Sequence, residues 1–531
     1  MGYSNKEEEY PVKGEYPANS QFEDKWASCL QTKNESQIRK LLLDKIIPKS
    51  ANLDVAYSIF EHSYDLLGEI FALVSEYIKN KSPDILGVYA AYDDRKNSEK
   101  RYCFLVFTKQ SATRPIHLKV KYPIKIVCAD DCSQEDENVV KEILKSYSPS
   151  LKISQEESKL NKCVSEHSER LMKETKNITL ITTCMYKSQN YQLGKPLNLL
   201  EIPCIVILVM QKYWIPIGSK PLPEKLNGIS VDVREGIAVQ FTGKLPTEKY
   251  DNVRIGCKIE SSLLQGSDHP SRVCNEGTLG GFILGTSSKI YGFTCAHILF
   301  PEETLQKMQK DEQIYVGKNF ELNVRKPQAE ISSLNTIVKC LEERKVYQTS
   351  CEQNDYFGTV ELALYVRGGS YYCTGVDFAL LKIDDVRVPN TTEFPYVNKL
   401  RTSDRETEGA SVEREFHFNS GKVIEKDLRH GDKVIKYGCK TLLTEGIFRG
   451  KNRFKFLDGE MWHGQCEIIA ESGFAEPSDS GSLVFKQNDR DLEAAGILVG
   501  GTTARFAVTS FPDIIETTGL GDIKFLKFDG T

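Results

Sequence analysis

The sequence predicts a multi-domain protein in which an N-terminal α/β region precedes an all-β domain. Three observations carry this. The chain has 531 residues, enough for more than one hydrophobic core. Between residues 21 and 245, apolar residues at helical spacing alternate with short runs rich in β-branched and aromatic residues. Beyond about residue 277 the texture changes to many short apolar runs separated by Gly, Asn, Asp and Ser, as in a sandwich or barrel.

Composition narrows the function. The chain is 40% hydrophobic and 27% charged, as expected for a soluble globular protein. Its net charge of -5 and the lack of a long basic cluster argue against a nucleic-acid partner. The longest apolar run, around residues 205–210, is too short to span a membrane and fits a buried strand. The first residues lack the apolar core of a secretory signal, and Lys6 stands where a myristoylation signal needs Ser or Thr. Fifteen cysteines are then expected as reduced thiols in a cytoplasmic, intracellular setting. Cys128 and Cys132 are close in sequence, as are His463 and Cys466, but neither pair is followed by a second at zinc-site spacing. No metal and no cofactor are expected.

The elements follow in order. Residues 1–20 are polar and are expected to form a disordered tail. Helical spacing links Ile38, Leu41, Leu42 and Ile46, then Ala56, Ile59, Phe60, Tyr64 and Leu67, with helices expected as far as residue 81. Strands are expected over 85–92, 101–108 and 116–128. A charged helical stretch, 134–173, is broken at Ser148-Pro149-Ser150. Strands return at 177–185, 202–210 and 229–233. Cys103 to Phe107 and Cys204 to Val209 head similar strand patterns, which two related α/β units would explain as well as chance would. Residues 246–276 are expected to be a linker. The domain over 277–531 then contains short strands and one insertion near 301–355, rich in Lys, Glu and Gln and partly helical. Residues 511–518 fit a closing helix.

Three segments of this domain carry chemistry. Gly292-Phe293-Thr294-Cys295-Ala296-His297 offers a base, Val376-Asp377-Phe378-Ala379-Leu380-Leu381 an acid, and Pro477-Ser478-Asp479-Ser480-Gly481-Ser482 a nucleophile. Serine needs a base to accept its proton as it attacks, and histidine titrates near neutrality. A buried carboxylate fixes the tautomer and stabilises the imidazolium. Each segment alone is an ordinary strand end or turn. Their order, His then Asp then Ser, is one of the known triad orders.

These segments resemble those of the trypsin/chymotrypsin-like serine proteases. Thr294-Cys295-Ala296-His297 is similar to that family's Thr-Ala-Ala-His. Asp377 to Leu381 looks like Asp-Ile-Ala-Leu-Leu, and Ser478 to Ser482 like Gly-Asp-Ser-Gly-Gly. Gly438-Cys439-Lys440-Thr441-Leu442-Leu443-Thr444-Glu445-Gly446 resembles a Gly-x-x-Thr-x-x-Thr-x-Gly segment of non-secreted, trypsin-like domains, where its Thr and Gly are structural. The resemblance implies a chymotrypsin-like pair of six-stranded β-barrels over 277–531. It makes His297 the general base, Asp377 the orienting acid and Ser480 the nucleophile, with the N–H groups of Ser478 and Ser480 forming the oxyanion hole.

The chain departs from that pattern in readable places. Ser478 stands where the family has glycine, so the turn is expected to be strained or its peptide flipped. Loss of one oxyanion donor costs on the order of 100- to 1000-fold in rate. Asp479 is present, but no Ile-Val-Gly-Gly-like segment precedes Gly277 to supply a new N-terminus as its partner, so a domain folded without cleavage is expected. Ile298 and Glu476 stand where disulfide cysteines are often found. By the same resemblance Phe474, six residues before the nucleophile, lies at the base of the substrate pocket and disfavours cleavage after Lys or Arg. Gly500 and Gly501 lie along the substrate-binding edge.

The function expected is a serine endopeptidase acting on polypeptides through an acyl-enzyme, with an N-terminal region that is regulatory or binds a protein partner. The alternative is a protease-fold binding or scaffold protein with weak or lost activity, motivated by Ser478. A nucleotide-binding enzyme in the N-terminal half is disfavoured, because no Gly-rich phosphate loop is present there.

Overall fold

A computed structural model describes residues 20–60, 63–82, 85–95, 101–108, 118, 120–128, 134–146, 155–189, 197–240, 252–261, 276–285, 289–312, 314–316, 339–340, 344–348, 356–369, 374–389, 417–457, 459–471, 473–488, 491–520 and 524–526. The tail expected over 1–20 lies outside these residues, Ser20 apart. So do residues 262–275 of the expected linker and 317–338 of the expected insertion. Two compact units make up the chain. One holds residues 1–129, 174–176 and 213–222, and the other 130–173, 177–212 and 223–531.

The first unit packs four helices on a small sheet. The helices are α1 (Ser20–Gln31), α2 (Glu35–Leu43), α3 (Ser50–Ile59) and α4 (Tyr64–Lys79). α4 buries Leu66, Leu67, Ile70, Phe71, Val74 and Ile78, an apolar stripe at helical spacing. Strands β1 (Ile85–Asp93) and β2 (Tyr102–Thr108) are antiparallel, and β3 (Ile124–Cys128) runs parallel to β2. Trp214–Pro216, numbered β8, returns to pair with β1.

The second unit begins with a similar arrangement. Helices α5 (Gln134–Ser146) and α6 (Gln155–Glu174) precede β4 (Ile178–Cys184), the hairpin β5 (Lys187–Gln189) and β6 (Asn198–Leu200), and β7 (Cys204–Val209). Next come β9 (Lys225–Leu226), β10 (Ile229–Glu235) and β11 (Val239–Gln240). β4 and β7 are antiparallel, and β10 is parallel to β7. Helix, antiparallel pair, parallel third strand is thus the order here as in the first unit. Cys103–Phe107 and Cys204–Val209 occupy the same middle strand of each sheet.

The first barrel follows. Its strands are β12 (Lys258–Ser261), β13 (Glu276–Thr278), β14 (Gly281–Leu284), β15 (Ile290–Thr294), β18 (Lys345–Gln348), β19 (Tyr356–Val366) and β20 (Val376–Ile383), with short α7 (Ala296–Leu299), α8 (Glu302–Asp311), β16 (Tyr315–Val316) and β17 (Lys339–Cys340) between them. β13 and β14 are one run bent at Leu279-Gly280. β13 pairs with β12, and β14 with β15. The bend is itself bonded, Leu279 N–H to Cys257 O and Gly280 N–H to Phe293 O, both at 2.9 Å. The ladder from β12 through β18, β19, β20 and β15 therefore closes on this run as a six-stranded barrel.

This corrects the linker expected over 246–276. Residues 258–261 form a barrel strand, so the barrel begins before residue 277. Lys258-Ile259-Glu260-Ser261 hid its strand character behind two charges. In the fold Lys258 is buried between Glu260 (2.9 Å) and Glu276 (3.0 Å), which compensate it.

The second barrel uses β21 (His417–Val423), β22 (Lys433–Gly438), β23 (Leu442–Lys455), β24 (Met461–Ile469), β25 (Leu483–Asn488), β26 (Asp491–Gly501) and β27 (Arg505–Ser510). The order β22-β25-β26-β27-β24-β23 returns to β22, giving a closed six-stranded ring with every neighbour antiparallel. Helix α9 (Phe511–Thr518) starts with Ser510 accepting from Asp513 N–H and ends at Gly519 in the left-handed region. β28 (Lys524–Phe525) pairs back onto β14. The fold is the one the sequence predicts, an α/β region followed by two barrels.

The barrel also carries the α/β strands of its own unit. β23 meets β4 at Phe454 and Leu180, so one sheet runs from the barrel through β4, β7 and β10 to β9. A buried ion network reinforces the junction. Arg505 binds Asp136 (2.6 Å) and Glu467 (2.5 Å), while Arg234 binds Asp136 (3.2 Å) and Asp232 (2.8 Å). Burial pushes the Asp136 carboxyl up, but Arg505 and Arg234 outweigh this and hold it below its ordinary value. No helix among the described residues is long and apolar enough to cross a membrane.

Candidate active site

His297 lies on α7, the single helical turn after β15, and is 2% exposed. Asp377 is the second residue of β20 and is fully buried. β15 and β20 are ladder neighbours, with Thr294 opposite Ala379, so the turn after one strand meets the start of the other. Asp377 Oδ1 accepts the His297 N–H at 3.1 Å, and Oδ2 contacts His297 Nδ1. One carboxylate therefore fixes both the backbone and the ring of the histidine. With Nδ1 donating to Asp377, the basic lone pair lies on Nε2.

Ser480 lies in the turn before β25. Its carbonyl accepts Thr278 N–H at 2.8 Å, and the next N–H, of Gly481, donates to Leu498 O at 2.9 Å. Gly481 has φ +89°, and a Cβ there would meet Thr294 Oγ1 at 2.2 Å and Ile298 Cδ1 at 3.1 Å. Thr294 and Ile298 flank His297, so the serine turn and the histidine turn pack on one another. Only glycine satisfies both the conformation and the contact. Ser480 Oγ donates to Val499 O at 2.7 Å.

The Ser478 backbone carries the strain expected of this turn. Its φ is +90°, so serine adopts the conformation that glycine favours. The Ser478 carbonyl is held by Thr278 Oγ1 at 2.8 Å and by Cys439 Sγ at 3.1 Å, and Cys439 N–H in turn donates to Thr278 Oγ1 at 3.2 Å. Among the described residues neither the N–H nor the Oγ of Ser478 meets a hydrogen-bond partner, although the residue is 1% exposed. The turn is strained, and an uncommitted buried N–H stands two residues before the nucleophile.

Asp479 anchors the turn from behind. It is fully buried and accepts from Lys440 N–H (2.9 Å), Thr441 N–H (3.3 Å), Thr441 Oγ1 (2.7 Å) and Glu476 N–H (3.1 Å). Its counter-ion is Lys436 Nζ at 3.3 Å, on β22. A Cβ on Gly438 would lie 2.2 Å from Asp479 Oδ1. The Gly438–Gly446 segment thus builds the cradle of Asp479, with Thr441 bonding the carboxylate and Thr444 Oγ1 donating to Phe474 O at 2.7 Å. Burial pushes the Lys436 ammonium below its ordinary range, against the pull of Asp479.

Phe474 and Gly501 differ in their placing. The Phe474 ring is 2% exposed, packs on Phe506 at 4.8 Å, and shares a core with Phe448, Ile468 and Leu498. Here it serves as a barrel-core anchor. Gly501 sits on the β26 edge opposite Val239, where a Cβ would meet Arg505 O at 2.3 Å.

Cys295, His297 and Asp377 bring ligand atoms within 4.8 Å of one another. The Cys295 thiol donates to Leu498 O at 3.3 Å, and burial pushes it well above its ordinary value, so it stays protonated. With Asp377 engaged by His297, this group suits proton transfer better than metal binding.

Sequence reasoning missed Thr278, Lys436, Cys439 and Val499. Lys436 alone left a signal, a charged residue inside the strand run Val434-Ile435-Lys436-Tyr437.

No protein-family model matches the chain, and no curated protein matches it. Solved structures similar to it include Thermobifida fusca Protease A, at 12% identity and TM-score 0.27, covering 52% of this chain and 99% of that one. Cellulomonas bogoriensis chymotrypsin is similar at 13% identity and TM-score 0.25, covering 52% of this chain and 99% of that one. A glutamic acid specific serine protease is similar at 13% identity and TM-score 0.27, covering 52% of this chain and all of that one.

Proposed function

We propose that this chain is a serine endopeptidase that hydrolyses polypeptides through an acyl-enzyme, with Ser480, His297 and Asp377 as its triad. One observation carries the reading. Asp377 binds both the N–H and the ring of His297, while the turn carrying Ser480 packs against the residues on either side of that histidine.

The steps follow from these residues. Ser480 Oγ attacks the substrate carbonyl carbon as His297 Nε2 takes its proton. Asp377 stabilises the imidazolium. The N–H groups of Ser478 and Ser480 bind the oxyanion. His297 then protonates the leaving amine, and water hydrolyses the ester by the same route in reverse. Ten of the described cysteines are free thiols, which suits a reducing, intracellular compartment. The N-terminal region is assigned a regulatory or partner-binding role.

A second reading, a protease-fold binding protein with lost activity, is favoured by the Ser480 hydroxyl, which donates to Val499 O and must rotate away before it can attack. Covalent reaction with a fluorophosphonate separates the two. Labelling that disappears in Ser480→Ala supports the enzyme, and no labelling of the folded protein supports the binding protein.

A further inference from the structure

The strand β26 has one edge that passes directly beside the nucleophile. β25 pairs along this edge as far as Leu483 opposite Ile497, and Leu498 N–H then bonds Ser482 O at 3.0 Å. The next carbonyl, Val499 O, accepts Ser480 Oγ at 2.7 Å. Beyond it the opposite edge stays paired with β27, Gly500 with Ala507 and Gly501 with Phe506. The edge on the nucleophile's side is taken by this chain itself. Val239 pairs antiparallel with Gly501, and Gln240 with Gly500.

The direction of this pairing matters. β11 runs from Gly501 to Gly500, towards Val499 and Ser480. An extended peptide docks by adding a strand to an open sheet edge. Gly500 and Gly501 present no side chains, so a main chain can approach closely. A polypeptide added to this edge in this direction would carry its chain towards Val499 and the Ser480 hydroxyl. β11 holds the same place.

β11 is also tethered. Just upstream, Gly236 N–H donates to Val209 O at 3.0 Å, and Gly236 O accepts Thr179 Oγ1 at 2.7 Å. Ala238 O accepts Leu457 N–H at 2.9 Å. The α/β sheet strand β10 therefore delivers β11 to the barrel. Downstream, the chain is back at the first barrel by Asn252, whose side chain donates to Val388 O at 2.7 Å.

We propose that Val239–Gln240 is a built-in inhibitory strand, occupying the edge at Gly500–Gly501 that an external polypeptide substrate requires. The inference rests on the serine-protease reading and names how that site is restrained. Displacing β11 opens the edge without changing the triad.

The test uses the full chain, wild type and a Val239→Pro/Gln240→Pro variant that removes both N–H groups of β11. Three measurements are made. A small organophosphorus fluoride, which needs no strand edge, reports on Ser480 itself. Cleavage of an extended peptide library reports on the edge. Hydrogen exchange at residues 239–240, before and after saturation with an extended peptide aldehyde, reports on β11 directly and also covers a variant that fails to fold. The expected result is labelling by the small reagent within about twofold in both proteins, peptide cleavage at least about tenfold faster in the variant, and loss of protection at 239–240 when the aldehyde binds. Equal peptide cleavage by two equally labelled proteins overturns the proposal. So does rapid exchange at 239–240 in the free wild type, or protection that survives aldehyde saturation. Absence of labelling in both folded proteins overturns the protease reading instead, and the inhibition falls with it.

Discussion

Lys436 Nζ and the Asp479 carboxylate form a fully buried ion pair, 3.3 Å apart, immediately beside Ser480. The charge that faces Asp479 comes from a lysine on β22, supported by Thr441 and two loop N–H groups. Removing one member of such a pair leaves an uncompensated buried charge, typically at a cost of about 3–5 kcal/mol. Lys436→Met should therefore lower labelling of Ser480 by at least about 100-fold through collapse of the turn over 478–481, the size expected for loss of one of the proposed oxyanion donors. Lys436→Arg keeps the charge and should retain most of the activity. Labelling rates, with circular dichroism as the folding control, check both.

The same pair sets an alkaline limit. Burial lowers the folded-state value of Lys436 below the ordinary 10.5. Activity should hold below that lowered value and fall as pH rises through it, because a neutral lysine leaves Asp479 without its counter-ion. The sign for stability is different. A lysine whose folded value lies below its unfolded value binds fewer protons when folded, so its deprotonation does not lower stability relative to the unfolded chain. A pH profile should thus show activity lost without a matching loss of unfolding midpoint, and Lys436→Arg should move the loss to higher pH.

Ser478 holds a φ of +90°, at a cost of order 1–3 kcal/mol for a residue with a Cβ. Ser478→Gly relieves this and should raise stability by about 1 kcal/mol with labelling at least as fast as wild type. Ser478→Pro, locked near φ -65°, should abolish labelling. Urea unfolding midpoints and labelling rates measure the two effects.

Asp377→Asn leaves a side chain of the same shape but favours the wrong tautomer of His297. A loss of about 10,000-fold in rate is expected from the same change in a triad of this type. Single-turnover acylation with an activated ester measures it.

Asp136 bridges Arg505 and Arg234 at the junction between the α/β strands and the second barrel. Asp136→Asn leaves two buried guanidinium groups undercompensated and should cost about 3–5 kcal/mol. The folded-state value of Asp136 lies below the ordinary 3.8. Its stabilising contribution is therefore complete above that ordinary value and fades as pH falls through the lowered one. Chemical denaturation from neutral pH down through this window should show the loss in wild type, and the variant should lack this part of it.

Much of the fold was legible because strand and helix periods are local properties. The helix expected over 511–518 and the strand expected over 101–108 stand where the sequence pattern put them. β12 was not legible, since Lys258 and Glu260 are buried only because Glu276 and Glu260 bracket the ammonium, a pairing that exists only in three dimensions. At the site, His297 and Asp377 were legible as motifs, and their contact follows from the β15–β20 ladder. Phe474 was assigned to the base of the substrate pocket by resemblance, and its ring packs in the barrel core against Phe506. The Lys436–Asp479 pair joins residues 43 apart and is produced by barrel closure. β11 is a strand only because β26 offers an edge, so its two residues carried no signal of their own.

The most direct test of the central claim is intact-mass analysis of the full chain after reaction with a fluorophosphonate, with peptide mapping of the adduct. One adduct per chain is expected, located on Ser480, absent in Ser480→Ala and strongly slowed in His297→Ala. A folded wild-type protein that takes up no adduct, or an adduct that forms equally in Ser480→Ala, would rule out Ser480 as the nucleophile.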